Sequence, residues 1–137
     1  MLERPFNATL ATYRRDGTVL LSPVWHEWRD GGFNIATGAD DVKARHIERQ
    51  KRAVAVVSDN EFRFRGIELS CEPTLVRDPE IGRQTMGRIA RRYLGERRSA
   101  QYLTQLGDGL IVIRMMPGVL RTWDFADDAE LFGGSAG

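Results

Sequence analysis

The sequence predicts a mainly β, α+β fold in which six to seven antiparallel strands form a small closed barrel flanked by two or three helices. Strand signals dominate the chain, Asp-Gly turns join neighbouring apolar runs, and only short stretches show helical spacing. Closure is expected because it removes the exposed strand edges of an open sheet. The 137 residues suffice for one domain with a sizeable core and not for two, so we expect a single domain over residues 1–137.

Three strands are predicted at the start of the chain. An Asp-Gly turn at residues 16–17 joins the β-rich runs 8–13 and 18–28, and a second turn at 30–31 precedes the run 33–37. Short turns between successive strands predict a meander.

The run at 18–28 is unusual because it carries apolar groups on both faces. One face holds Val19, Leu21 and Trp25, and the other holds Leu20, Val24 and Trp28. One face packs on the core, where we expect Trp28, and the other needs a further partner, so the sequence predicts a homodimer.

The rest of the chain alternates helices with strands. We expect a helix over 41–50 and strands over 53–58 and 66–76. Asp78-Pro79 begins a packed amphipathic helix that ends at Gly95, and a further short helix follows over 99–107. Two strands, 110–115 and 119–125, complete the fold, and the tail over 126–137 is expected to be flexible.

Composition excludes several classes of function. No signal peptide and no stretch of roughly 20 apolar residues is recognisable, so we expect a cytoplasmic protein that does not insert in a membrane. The 20 basic residues are balanced by 19 acidic ones, which argues against nucleic acid as a partner. The arginines at 88–98 are interpreted as a solvated helix face.

Metal and nucleophile chemistry find little support. Cys71 alternates with apolar residues and is interpreted as a small buried hydrophobe. His26 and His46 are the only histidines and have no ligand spacing for zinc or iron, so no metal site is predicted. His26 could donate a hydrogen bond to a substrate, but a surface or interface histidine is favoured.

The stretch TGADDVKARHI, at residues 37–47, leads an apolar strand into a helix with Lys43 in its first turn. Unpaired backbone N–H groups and a nearby cation at such a junction can hold a phosphate. Asp40 or Asp41 could equally cap the helix and occupy the same N–H groups. The residues alone leave both alternatives open.

The order of elements, with the stretches LATYRRDGTVLLSPVWHEW, FNIATGADDVKARHI, FRFRGIELSCEP and VLRTWDF, resembles the flavin-binding split-barrel superfamily of pyridoxamine 5'-phosphate oxidase-like proteins. Within it, the chain is most similar to small actinobacterial reductases that use the deazaflavin coenzyme F420. The resemblance covers roughly residues 6–125 and implies a split β-barrel with the cofactor in a groove at a homodimer interface.

The resemblance also implies a set of cofactor-binding residues. Thr37 and Lys43 match the family's phosphate-binding positions, although Asp40 and Asp41 stand where relatives commonly have serine or a basic residue. The segment beneath the cofactor ring matches Ser22, Pro23, Val24 and Trp25, and the acidic side of the cofactor would meet Arg63 or Arg65.

The function that the resemblance implies is hydride transfer from reduced coenzyme F420 to a conjugated small molecule such as an enone, a quinone or a tetrapyrrole. No catalytic side chain is assigned, because the proton could come from solvent. Two alternatives stay open: an FMN-dependent oxidase or reductase of the same superfamily, and a binding protein that holds a cofactor or haem-like ligand without turnover.

Overall fold

The structure, a computed structural model, describes residue 2 and residues 4–125, so the predicted flexible tail lies outside the described residues. This part of the chain contains nine strands and two helices: β1 (Ala8–Tyr13), β2 (Val19–Val24), β3 (Glu27–Arg29), β4 (Gly32–Gly38), α1 (Val42–Gln50), β5 (Ala53–Ser58), β6 (Gly66–Cys71), β7 (Thr74–Val76), α2 (Pro79–Gln105), β8 (Leu110–Met115) and β9 (Val119–Trp123). Neither of these helices is long and apolar enough to cross a membrane.

The strands form two antiparallel sheets, which confirms the predicted α+β fold. One sheet has five strands in the order β2-β1-β5-β6-β9, and the other has four in the order β3-β4-β8-β7. Their inward faces share one core, listed here by sheet: Leu10, Val57 and Leu69 from the first, and Phe33, Ile35, Ile113 and Met115 from the second. The arrangement is that of a split barrel rather than a barrel closed by one continuous sheet.

The predicted meander is wrong, because residues 18–28 form two strands in different sheets. β2 pairs with β1, whereas β3 pairs with β4, and the chain passes from one sheet to the other at Trp25 and His26. The predicted strand over 66–76 divides in the same way, into β6 and β7. Apolar groups on both faces therefore reflect, in part, a segment that serves two sheets.

The local turn signals are confirmed. Asp16 accepts hydrogen bonds from the backbone N–H and hydroxyl of Thr18, and Gly17 has a φ of 87° in the β1–β2 hairpin. Asp30 and Gly31 both have positive φ in the β3–β4 hairpin, as its two-residue turn requires.

Pro23 lies on β2, which is an edge strand. It pairs with Thr9 of β1 on one side, and β2 ends the five-stranded sheet on the other. An edge strand is a position where a sheet tolerates proline, which has no backbone N–H to donate.

The predicted long helix and the short one after it are joined into α2. Gly95, with φ 79° and ψ 173°, interrupts the helical backbone at the predicted end of the first. The two parts of α2 can therefore differ in direction, and both contribute residues to the cavity described next.

Candidate functional site

A cavity of about 240 Å³ lies where the chain passes between the two sheets. It brings together five residues that the sequence analysis assigned to one cofactor site: Pro23, Val24, Trp25, Thr37 and Lys43. Further lining residues come from α2: Met86, Ile89 and Tyr102. Residues that are distant in sequence therefore converge on one concave space lined by both apolar and polar groups.

Aromatic side chains form one wall of this cavity. The Trp25 indole stacks on Tyr93 with ring centroids 5.0 Å apart and an interplanar angle of 8°. Tyr102, from the part of α2 beyond Gly95, lies tilted against the same indole at 5.6 Å. Offset aromatic packing of this kind holds the indole in one orientation, so Trp25 presents a pre-formed apolar surface.

The backbone beside Trp25 is fixed by polar contacts from α2. The His26 N–H donates to the Tyr93 hydroxyl at 3.2 Å, and that hydroxyl donates to the Phe6 carbonyl at 2.7 Å. The Arg92 guanidinium donates to the His26 carbonyl and, at 3.0 Å, to the carbonyl of Leu2. The passage between the sheets is therefore held by the helix that also lines the cavity.

His26 is fully buried, so its assignment to the surface or an interface is wrong. Its ring stacks on Phe33, and Nε2 donates to the Phe6 carbonyl at 2.9 Å. Burial, aided by the Arg92 charge, lowers the pKa of His26 to about 4. The imidazole is therefore neutral at pH 7, with its proton on Nε2.

Thr37 and Lys43 line the cavity, and Asp41, which caps α1, contacts Lys43; we call these three residues the anion corner. Asp41 caps α1: its Oδ1 accepts the Lys43 backbone N–H at 2.9 Å and lies 3.0 Å from Lys43 Nζ. Burial alone would raise the pKa of Asp41, but the bonds and charge of Lys43 and a hydrogen bond from Thr37 lower it. Asp41 is thus an ionised carboxylate held by the two residues expected to bind a phosphate.

The remaining predicted site residues lie elsewhere in the chain. Ser22 is half-buried on β2 beside Pro23 and does not line the cavity. Arg63 forms an ion pair with Asp124 at 2.7 Å.

Arg65 lines a second cavity, together with Trp28 and Trp123. Its Nη2 lies 3.9 Å from Asp59, and within the described part of the chain its buried Nε has no hydrogen-bond partner. One protomer therefore does not bring Arg63 or Arg65 to the cavity beside Trp25.

Two arginines of α2 do not belong to a solvated face, contrary to the sequence interpretation. Arg88 forms two bonds to Glu27, at 2.8 and 3.0 Å, and Glu27 is only 5% exposed. Arg92 reaches the backbone at His26. Both side chains dock α2 against the segment that passes between the sheets, whereas Arg91 is exposed as expected.

Trp28 and Cys71 were both expected to be buried, and they differ in how far this holds. Trp28 was expected in the core but is 37% exposed, because the residue belongs to β3 and not to a continuation of β2. Cys71 is half-buried and packs against the core, and its burial raises the thiol pKa. A raised thiol pKa disfavours the nucleophilic thiolate.

Tyr102 and the role of Tyr93 at this cavity were not predicted from the sequence. Met86 and Ile89 are buried on the apolar face of the predicted amphipathic helix and Tyr93 is half-buried, but helical spacing does not say what that face covers. Tyr102 was assigned only to a further short helix. Its signal, an aromatic residue after a glycine break, is too common to indicate a site.

Comparisons with known proteins define the class of fold. No protein-family profile matches the chain, and no curated protein matches it. Among solved structures, the conserved hypothetical protein Rv2991 from Mycobacterium tuberculosis is similar with a TM-score of 0.80 and 23% identity, over 93% of this chain and 82% of that one.

Two further solved structures carry functional names. An F420 reductase is similar with a TM-score of 0.70 and 23% identity, over 88% of this chain and 92% of that one. A pyridoxamine 5'-phosphate oxidase-related, FMN-binding protein from Nostoc punctiforme is similar with a TM-score of 0.65 and 11% identity, over 87% of this chain and 74% of that one. The chain has the pyridoxamine 5'-phosphate oxidase-like split-barrel fold. Solved structures with this fold include flavin-binding and deazaflavin-using proteins.

Proposed function

We propose that the protein is an oxidoreductase that uses coenzyme F420 to reduce a conjugated small molecule. The observation that carries this proposal is the convergence of Pro23, Val24 and Trp25 with Thr37 and Lys43 on one cavity. These are the ring-side and phosphate-side positions that the resemblance implies, and they come from separate elements of the chain.

The chemistry of the lining suits a planar ring. A rigid apolar wall at Trp25 gives a ring system a flat surface, and the two β2 residues before it add apolar contact area. These residues would hold the ring of the reduced deazaflavin, and the bound cofactor would supply a hydride to an acceptor beside that ring. The protein then has to orient the acceptor and exclude water. Met86, Ile89 and Tyr102 line the cavity and favour both.

The size of the cavity supports completion of the site by a second copy. Ligand sites usually enclose about 300 to 1,000 Å³, and this cavity encloses about 240 Å³. The cavity of one protomer is therefore smaller than a site for a whole nucleotide-like cofactor usually is.

The outward face of the five-stranded sheet is the surface that we propose to be the dimer interface. One row of paired residues crosses the whole sheet: Leu21, Ala11, Val54, Ser70 and Val119. At its two ends Leu21 is 65% exposed and Val119 is 70% exposed. A second copy would cover this apolar row, and it would bring its own Arg63 and Arg65 as candidate contacts for the acidic tail of coenzyme F420.

FMN is the second candidate cofactor, favoured by the FMN-binding protein of the same fold. The protein purified from a host that makes no deazaflavin separates the two cases, since a yellow, flavin-loaded protein supports FMN. Binding of both cofactors is then measured in parallel, followed by oxidation of reduced coenzyme F420 in the presence of quinones and enones.

A pair of tryptophan variants tests the location of the site. Trp25→Leu removes the flat wall and should weaken binding of the preferred cofactor about 10-fold, the equivalent of roughly 1.4 kcal/mol. Trp28→Leu is the matched control, because Trp28 is exposed and lies outside this cavity. Equal effects of the two changes, or no effect of Trp25→Leu in a folded protein, would refute the proposed site.

A further inference from the structure

The anion corner already contains an anion, the carboxylate of Asp41. One carboxylate oxygen lies 2.9 Å from the Lys43 backbone nitrogen and 3.0 Å from Lys43 Nζ. The Lys43 side chain is 17% exposed and that of Asp41 30% exposed, so the pair is partly shielded from solvent. The groups implied to bind the cofactor's phosphate are therefore engaged within the chain.

A phosphate that enters this corner meets two unfavourable effects. It must replace or share hydrogen bonds that Asp41 already makes, and it must approach a carboxylate of like charge within a few ångströms. Like charges at about 4 Å repel appreciably in the partly shielded surroundings of a protein surface. The contribution of Lys43 to the affinity for a phosphate is correspondingly reduced.

We propose that Asp41 is a built-in competitor for the anionic group of the cofactor, so that this pocket recognises the ring of its ligand and gains little from the ligand's phosphate. This inference rests on the proposed function, because it concerns the same cavity. It assigns to Asp41 the role of a specificity-determining residue that lowers the affinity of the site for phosphate-bearing ligands.

FMN and riboflavin test this proposal, because they share a ring and differ by the phosphate. Their dissociation constants are measured by fluorescence titration on the full chain. The wild-type protein should bind FMN no more than about threefold more tightly than riboflavin. Asp41→Asn should raise this preference for FMN to at least about 10-fold, because asparagine caps a helix as well as aspartate does and carries no charge.

Asp40→Asn is the matched control. It removes the same charge one residue away, from an exposed side chain, and should leave the preference for FMN within about twofold of the wild-type value. Asp41→Ser, a second neutral cap, should reproduce the effect of Asp41→Asn if that variant folds poorly.

Lys43→Ala completes a double-mutant cycle with Asp41→Asn. In the wild-type background it should change the affinity for FMN less than about threefold, because the Lys43 charge is already compensated. In the Asp41→Asn background it should abolish the gained preference for FMN.

The outcomes separate the inference from the proposed function. If riboflavin and FMN bind but the preference for FMN is the same in wild type, Asp41→Asn and Asp41→Ser, the competitor role is refuted and the cavity remains a flavin site. A strong wild-type preference for FMN that Lys43→Ala removes would also refute it. If neither flavin nor coenzyme F420 binds to any variant, the proposed function fails and the inference fails with it.

Discussion

We expect the buried histidine beside the cavity to make the protein less stable in mild acid. His26 is fully buried, and its pKa falls from 6.5 to about 4 in the folded chain. Between these values the unfolded chain binds the proton and the folded chain does not, so the free energy of unfolding falls as the pH falls. From pH 7 to pH 5 the loss attributable to His26 is about 2 kcal/mol, and it is complete only below pH 4.

The assay is urea denaturation at pH 7, 6 and 5, for the wild type and for His26→Gln. Glutamine does not titrate and keeps an N–H donor for the Phe6 carbonyl that His26 contacts. His46, whose pKa is also lowered by burial, contributes in the same direction in both proteins and cancels in the comparison. The pKa values of Glu27 and Asp41 are lowered in the folded chain, so the stability that these carboxylates contribute is lost only as the pH falls below the range of this assay.

The result that would refute this reasoning is a His26→Gln variant that folds and still loses as much stability between pH 7 and pH 5 as the wild type. Such a result would show that the imidazole is protonated in the folded protein or that other groups dominate. The same measurement on His46→Gln shows how much of the remaining loss of stability between pH 7 and pH 5 is due to His46.

Three further predictions concern assembly, the buried ion pair and the cofactor tail. Leu21→Glu should convert a dimer at micromolar concentration into monomer, which sedimentation measures; a wild-type monomer at that concentration would contradict the proposed interface. Arg88→Met should lower the free energy of unfolding, measured by urea titration, by about 3 kcal/mol, because Glu27 is left charged and buried. Arg91 is exposed, so Arg91→Met should change the free energy of unfolding by less than about 0.5 kcal/mol. Arg65→Ala should weaken binding of coenzyme F420 more than binding of FMN, with a difference that shrinks as salt rises from 0.05 to about 0.5 M; an unchanged ratio of the two affinities would exclude that contact.

Local signals in the sequence predicted those features that depend on a few neighbouring residues. The Asp16-Gly17 hairpin and the helix break at Gly95 both follow from backbone preferences within a single turn. The sequence also indicated which residue types could serve a ring and an anion, at Trp25 and Lys43.

The choice between a cap and a phosphate site required the tertiary structure. Either Asp40 or Asp41 could cap a helix, and only the path of the loop after β4 shows that Asp41 faces Lys43 while Asp40 faces solvent. A capping preference says that an oxygen is needed, but it does not say which other groups that oxygen will meet.

The sequence by itself determined the α+β class, the principal turns and a strand-to-helix junction open to either a cap or an anion, whereas the ring-side positions are implied by the family resemblance and stay a prediction. The tertiary structure decided that residues 18–28 serve two sheets, that His26 is buried and neutral, and that Tyr93 and Tyr102 support the wall at Trp25. The physical reason is that hydrophobic periodicity records how much of a residue is buried, not what buries it. Arg92 and Tyr93, the α2 residues that contact Trp25 and His26, lie more than 60 residues further along the chain, and only the docking of that helix brings them there.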